Sequence, residues 1–310
     1  MPGLELLPHA YFEKKIVPLD EAKVSIATHS LQYGTTCFTG IRGYHRDSKI
    51  RLFRLKDHWQ RLVNTVKILE MPLTLEWDTF HTAIVELVRS NKPARDIYIR
   101  PLIFAHDCVL VPRFDGLHFD LAIYMFLMGD YHATTRGLDL IISSWQKFSN
   151  LSMPSKAKSG GSYVNSALAA TEAHKLHKDD ALLLNSRGEV VEASSANIVV
   201  VYRGEIYLPD LGAEQLEGIT RRTVIDFLRE ENLPIHSGGL DRSLIYNADE
   251  LLLLGTAAQV VYTRSVDDRI IQSENKPGPI CQLLRDKYRQ VMEGKHPRSK
   301  DWLYDVELTP

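Results

Sequence analysis

Apolar residues recur at helical spacing at Trp59, Leu62, Val63, Val66 and Leu69, and again at Trp77, Phe80, Ile84 and Leu87, so both stretches are predicted to be amphipathic helices. Strand-like segments precede them around Lys23 to Ala27 and Cys37 to Tyr44. Asp96 to Phe104 and Phe119 to Met128, rich in Ile, Tyr and Phe, follow as strands. The stretch from Gly129 to Gly137 breaks this pattern with polar, turn-forming residues bracketed by glycines, which marks a domain boundary. The second half opens with a strand, Leu138 to Trp145, and a helix from about Tyr163 to Lys178. Strands then turn at Ser186-Arg187-Gly188 and Arg203-Gly204, and a helix follows Gly218. Asp249 to Gly255 and Gln259 to Arg264 read as strands and Ile280 to Met292 as a closing helix. Strands and helices mix without a strict βαβ alternation, so the expected class is α+β. The domains are read as residues 1–128, a connection at 129–137, and residues 138–310.

Composition narrows the function classes. A formal charge of -2 with scattered basic residues offers no general attraction for phosphate backbones or anionic lipid, so nucleic acid and membrane partners are set aside. The start, with Glu5 and Pro8 in its short apolar stretch, lacks the pattern of a secretory signal. The longest apolar runs, Leu121 to Met128 and Asn197 to Tyr202, fall far short of the roughly 20 residues a membrane span needs and read as buried strands. Cys37, Cys108 and Cys281 are widely separated, without a Cys-x-x-Cys pair. They read as small buried hydrophobes in a reducing cytoplasm. His174 with His177, and His106 beside Asp107, lack a third ligand at metal-site spacing. No Gly-x-Gly-x-x-Gly follows a strand, so neither a metal nor a dinucleotide is expected.

Several segments carry residue types suited to chemistry. In Pro154-Ser155-Lys156-Ala157-Lys158-Ser159-Gly160-Gly161-Ser162-Tyr163, two glycines permit close backbone approach to a ligand, and a lysine beside them can serve as a Schiff-base nucleophile or a phosphate contact. A surface lysine before a flexible turn explains the segment as well. Lys156 and Lys158 share strand parity, so alternation does not choose between them. Glu192 lies inside a strand pattern, placed either to hold a protonated ring nitrogen or to face water from an edge strand. Thr220, in Leu216-Glu217-Gly218-Ile219-Thr220-Arg221, has the character of an N-cap, and the amides beside it form either a simple cap or an anion site. Gly255-Thr256-Ala257-Ala258 is either a plain turn or a ligand-facing one. Tyr98 and Arg100 share one strand face, suited to gripping a carboxylate, and Phe38, Gly40 and Arg42 are aligned in the same way. Arg61 lies off the apolar stripe of its helix, and periodicity places it in solvent.

Taken in order, these segments resemble the fold-type IV pyridoxal 5'-phosphate (PLP) enzymes, specifically the bacterial branched-chain amino acid aminotransferases. The likeness spans nearly the whole chain. It rests on Tyr33-Gly34, Phe38-Thr39-Gly40-Ile41-Arg42, His58-Trp59-Gln60-Arg61-Leu62, Tyr98-Ile99-Arg100-Pro101-Leu102, Lys158-Ser159-Gly160-Gly161-Ser162-Tyr163, Glu192 with Asn197, Gly218-Ile219-Thr220-Arg221, and Gly255-Thr256-Ala257-Ala258. The resemblance implies a small α+β domain joined to a larger pseudo-barrel domain, with the cofactor in the cleft between them. It implies that Lys158, and not Lys156, carries the cofactor as a Schiff base, that Glu192 binds the pyridine nitrogen and that Tyr163 meets the phenolic oxygen. Arg61, the amides of Ile219 and Thr220, and Thr256 correspond to the phosphate cup. Asn197, Leu216 and Gly218 belong with the cofactor-binding positions. Tyr33, Phe38, Gly40, Tyr98, Arg100, Leu110, Tyr131, Thr256, Ala257 and Ala258 match the substrate pocket.

The activity implied is ping-pong exchange of an amino group between leucine, isoleucine or valine and 2-oxoglutarate, by a cytoplasmic homodimer or higher oligomer. Two features depart from the family pattern: Thr39 stands where glutamate is common, and the loop His106 to Asp115, with Leu110, Val111 and Arg113, replaces a glycine-rich version. Other members of the fold act on D-amino acids or (R)-amines or as aminodeoxychorismate lyases, and a noncatalytic PLP-binding protein is the alternative outside enzymes. Arg100 in its Tyr-Ile-Arg-Pro-Leu setting favours the branched-chain type.

Overall fold

The computed structural model describes residues 3–129, 136–272 and 276–308. Two compact units emerge from the contacts. The first comprises residues 1–129, 157–161 and 290–310, and the second residues 130–156 and 162–289. The sequence reading draws one boundary at 129–137. In the structure the Lys158 segment and the C-terminal residues pack with the first unit.

In the first unit an eight-stranded sheet runs in the order Leu303–Glu307, Lys49–Phe53, Ile41–Arg46, Ile97–Ala105, Phe119–Leu127, His9–Phe12 and Lys15–Pro18, with Thr36–Phe38 paired beside Ile97–Ala105. Its core lies on one face. Ile97, Ile99 and Ile103 point there with Ile41, Ile50 and Leu52, and helices Leu55–Ile68 and Trp77–Asn91 cover them with Leu62, Val66, Phe80, Ile84 and Leu87. The two-residue strand period therefore turns Tyr98 and Arg100 to the face away from those helices. The segment Lys23 to Ala27 is not a strand, and Val24 and Ile26 are exposed. Their β-branched side chains gave the strand signal, but tertiary pairing, which decides strand formation, is absent there. Cys37 to Tyr44 forms two strands, Thr36–Phe38 and Ile41–Arg46, interrupted at Thr39-Gly40. A side chain at Gly40 would collide with the Tyr98 hydroxyl.

In the second unit a nine-stranded sheet has the order Val190–Ala193, Asp180–Leu184, Leu138–Gln146, Gln259–Val266, Glu250–Gly255, Asn197–Tyr202, Glu205–Pro209 and Ile235–Gly238, with Arg269–Ile270 paired to Gln259–Val266. Helix Tyr163–Lys175 packs through Ala169 and Ala173 onto Ile141, Ala181 and Leu183. Helix Ile219–Glu230 buries Val224, Phe227 and Leu228 completely. Helix Pro279–Met292 matches the expectation, but it does not close the fold. Ser299–Trp302 and the strand Leu303–Glu307 follow, and that strand pairs antiparallel with Lys49–Phe53. Cys37 and Cys281 are buried as expected, whereas Cys108 is exposed because its loop lies outside both sheets. Among the described residues no helix is long and apolar enough to cross a membrane.

Candidate active site

The lysine segment 157–161 lies antiparallel beside Thr36–Phe38 and makes an isolated bridge between Ser159 and Cys37. The Phe38 amide donates to the Lys158 carbonyl at 3.1 Å, and the Gly160 and Gly161 amides donate to the carbonyls of Thr36 (2.8 Å) and Gly34 (3.1 Å). These contacts explain the two glycines. A Cβ on Gly160 would meet Thr36 Oγ1 at 2.0 Å, and one on Gly161 would press on the Gly34 carbonyl at 3.3 Å. Close approach is indeed required here, and chain residues 34–36 make it. The Lys158 amide also donates to Thr65 Oγ1 at 3.2 Å, which ties the segment to helix Leu55–Ile68.

Phe38 is the centre of this group. The guanidinium carbon of Arg100 lies 4.5 Å from its ring centroid and the Lys158 Nζ lies 5.0 Å from it, and Arg100 also stands 5.3 Å from the Tyr98 ring. Cations are attracted to the electron-rich faces of such rings without losing their positive charge. The Arg100 Nε is buried with no hydrogen-bond partner. Arg61 does not point into solvent as its helical position predicts. It is half-buried and donates from a terminal nitrogen to Thr39 Oγ1 at 3.0 Å. The first unit thus brings Lys158, Phe38, Gly40, Tyr98, Arg100 and Arg61 together. Tyr33 ends the short helix His29–Tyr33 and is exposed, and Leu110 is 77% exposed on its loop, so neither belongs to the Phe38 group.

In the second unit Glu192 is buried although its strand lies at the sheet edge, so it does not face water. Lys147 Nζ stands 2.5 Å from Glu192 Oε1, with both side chains under 10% exposed. On Oε2 the carboxylate accepts from the Leu216 amide at 3.1 Å and from Asn197 Nδ2 at 3.4 Å. The same Asn197 nitrogen donates to the Leu216 carbonyl at 2.8 Å. Asn197 also abuts Gly218, where a Cβ would lie 1.9 Å from its Oδ1. Gly218, not Thr220, is the N-cap of helix Ile219–Glu230, and no side chain caps that end. Thr220 sits inside the first turn because the chain is still extended at Gly218, and the Ile219 and Thr220 amides belong to the uncapped end. Thr256, Ala257 and Ala258 form the half-buried turn between strands Glu250–Gly255 and Gln259–Val266. Tyr163 opens its helix, half-buried. Tyr131 lies outside the described residues.

The two candidate lysines differ in what their amines do. Lys156 Nζ donates to the carbonyls of Leu211 (2.5 Å) and Gln215 (3.2 Å) and stands 3.9 Å from Glu217, so it fastens the loop 211–217. Burial lowers its pKa from the usual lysine range. The Lys158 amine lies over the Phe38 ring, which Arg100 also contacts.

Sequence reasoning missed Lys147, Gln215, and the part played by Thr39 and His58. Lys147 had an indirect signal: a carboxylate buried in a strand must be paired, so a cation had to lie nearby. Gln215 is fully buried and donates to the carbonyls of Pro209 and Asp210, contacts within a loop that no periodicity reveals.

Residues 36–266 match the profile of the family described as amino-transferase class IV. A probable branched-chain-amino-acid aminotransferase of Aquifex aeolicus (strain VF5) is 39% identical over 300 residues, 96% of each chain. The crystal structure of a branched-chain aminotransferase from Thermoproteus uzoniensis with norvaline superposes with a TM-score of 0.92 at 34% identity, covering 97% of this chain and 99% of that one. That of the branched-chain amino acid aminotransferase from Thermobaculum terrenum in its PLP form gives a TM-score of 0.91 at 32% identity, covering 97% and 99%.

Proposed function

This chain belongs to the class IV aminotransferases, and from that premise we propose that it exchanges amino groups between branched-chain L-amino acids and 2-oxoglutarate, in ping-pong order, with PLP as cofactor. The observation that carries the reading is the likeness over almost the full length of both chains to branched-chain aminotransferases.

The residues present fit that cofactor. A phosphate needs donors, and helix Ile219–Glu230 offers an N-terminus that no side chain caps, while Arg61 offers a guanidinium. A protonated ring nitrogen needs a carboxylate held ready, which Glu192 is, and an aldehyde needs a primary amine, which Lys158 supplies. When bound, PLP supplies an electron sink for the charge that develops on the substrate carbon.

The chain's own residues do the rest. Lys158 would hold the cofactor through its amine, and the same amine would move the proton at the substrate α-carbon. That step uses the amine in its neutral form. Glu192 would hold the ring nitrogen, and its carboxylate is kept in place by Lys147, Asn197 and the Leu216 amide. Tyr163 would meet the phenolic oxygen, and Arg61, Ile219, Thr220 and Thr256 would hold the phosphate, while Asn197 and Leu216 act through Glu192 and Gly218 sits against Asn197. Arg100, whose buried Nε lacks a partner, receives the substrate carboxylate with Tyr98. Phe38 and Gly40 in the first unit and Ala257 and Ala258 in the second are assigned to the substrate side chain, whereas Tyr33 and Leu110, exposed in this chain, are not. The enzyme works in the cytoplasm as a homodimer or higher oligomer, and a fully active monomer in sedimentation would remove that part of the reading.

The test is coupled turnover of leucine with 2-oxoglutarate by the holoenzyme, in a panel with D-amino acids and both enantiomers of an arylalkylamine. Turnover of L-leucine, L-isoleucine and L-valine supports the proposal, and turnover confined to D-amino acids or (R)-amines refutes it. Lys158→Ala should lose about 10²–10⁴-fold in rate for proton transfer alone, whereas Lys156→Ala should keep the reaction.

A further inference from the structure

Behind Arg61 stands a buried hydrogen-bonded pair for which the reading above has no role. Thr39 has no exposed surface. Its amide donates to the Pro101 carbonyl at 3.1 Å, which fixes the residue at the break between strands Thr36–Phe38 and Ile41–Arg46. Its Oγ1 accepts from Arg61 at 3.0 Å and lies 2.8 Å from His58 Nδ1. His58 is also fully buried. Burial above all, and then the positive charges of Arg61, Arg54 and Lys158, hold its pKa well below the usual imidazole range, so the ring is neutral and one of its nitrogens is an acceptor. Arg61 only donates, so Thr39 Oγ1 accepts from it, and the tautomer of neutral His58 that offers Nδ1 as acceptor would take the hydroxyl hydrogen and leave the oxygen lone pairs for the guanidinium.

We propose that Thr39 and His58 are positioning residues that aim the Arg61 guanidinium at an anionic group, the phosphate ester of the cofactor. The proposal rests on the assignment of Arg61 to that phosphate. The chemistry favours a hydroxyl for the task. A guanidinium is a rigid plane, so fixing one terminal nitrogen orients its other donors. A carboxylate at the same place would align the arginine and also neutralise it, whereas a hydroxyl aligns it and leaves the whole charge for the phosphate. His58 then keeps the hydroxyl from turning its hydrogen toward the arginine.

The experiment titrates the full-length chain, freed of cofactor, with PLP and with pyridoxal, which lacks the phosphate. Arg61→Gln should weaken PLP binding far more than pyridoxal binding. Thr39→Val, nearly isosteric, should weaken PLP about tenfold, as loss of a hydrogen bond to a charged group does, and leave pyridoxal within about twofold. Thr39→Ser should restore PLP binding. If Arg61→Gln weakens both ligands equally, the phosphate assignment itself fails. If Arg61→Gln discriminates but Thr39→Val leaves PLP binding unchanged, or weakens both ligands alike, the positioning role is overturned while the assignment stands. Nitrogen-15 spectra of the unmodified holoenzyme give a readout that needs no variant: Nδ1 of His58 should be unprotonated and Nε2 protonated, and a protonated Nδ1 would overturn the proposal.

Discussion

Around Phe38 the cations Arg100 and Lys158 rest on a ring face and Arg61 meets a hydroxyl, whereas around Glu192 a carboxylate meets a lysine at 2.5 Å with two further donors. In the first region these contacts are to a ring and a hydroxyl, neither of which carries a charge that neutralises a cation. In the second the charge is balanced before anything enters, and the carboxylate is held in one orientation. The difference separates two kinds of sensitivity. Removing a partner from a balanced buried pair strands a charge in a poorly solvating interior, while removing a ring or a hydroxyl disturbs direction more than stability.

The largest expected effect therefore lies at Lys147. Lys147→Met should destabilise the protein by about 3–5 kcal/mol, the usual cost of leaving one member of a buried pair alone, measured by urea unfolding. Adding Glu192→Gln should recover most of that loss, because no stranded charge remains. Full stability of Lys147→Met on its own would break the contrast, since the second region would then not depend on its ion pair.

How much of this was legible in the sequence follows the range of the interactions. Helices Leu55–Ile68 and Trp77–Asn91 announced themselves because burial of one face imposes a 3.6-residue period that a short window records. Tyr98 and Arg100 were placed on one face for the same local reason. Lys147 was silent. Its partner lies 45 positions away in sequence, the arithmetic being 192 minus 147, and a lysine after a strand is ordinary until the fold buries it. Arg61 was misread as solvated because helical period identifies the core face and says nothing of a polar residue such as Thr39 that approaches the helix flank. The strand Leu303–Glu307 was overlooked, and its pairing with Lys49–Phe53 is a contact between the ends of the chain. Lys156 and Lys158 could not be separated by alternation. The family resemblance separated them, and in the structure the Lys156 amine fastens a loop of the second unit.

A smaller effect sharpens the comparison through pH. The His58 pKa in the folded chain lies well below its unfolded value because of burial and the neighbouring positive charges of Arg61, Arg54 and Lys158. The unfolded chain therefore binds a proton below about pH 6.5 that the folded chain refuses. Stability from this group is complete above that pH and declines as the pH falls toward the folded value, with a slope approaching about 1.4 kcal/mol per pH unit. Urea unfolding of the wild type and His58→Gln between pH 7 and 5, a window chosen to bracket about 6.5, should show the extra slope in the wild type alone. Parallel curves would mean that His58 takes up its proton inside the fold, and burial would then not hold the ring neutral.

The smallest effect concerns the ring itself. If Phe38 holds Arg100 through its face, the two side chains should be energetically coupled by about 0.5–1 kcal/mol, the range for such cation–ring pairs when partly exposed. A double-mutant cycle measures this directly, using Phe38→Leu, Arg100→Gln and the combination, each unfolded in urea at one pH. Phe38→Leu alone is ambiguous, because it also removes apolar contact area; the cycle cancels that loss, since it is common to both backgrounds. A coupling in this range would show that the first region holds its cations with weak, charge-preserving contacts. Its value can be set beside the same cycle on Lys147→Met and Glu192→Gln, where a coupling several times larger is expected. Equal couplings in the two cycles would erase the distinction between a region that holds its cations with weak contacts and one that fixes its carboxylate with an ion pair.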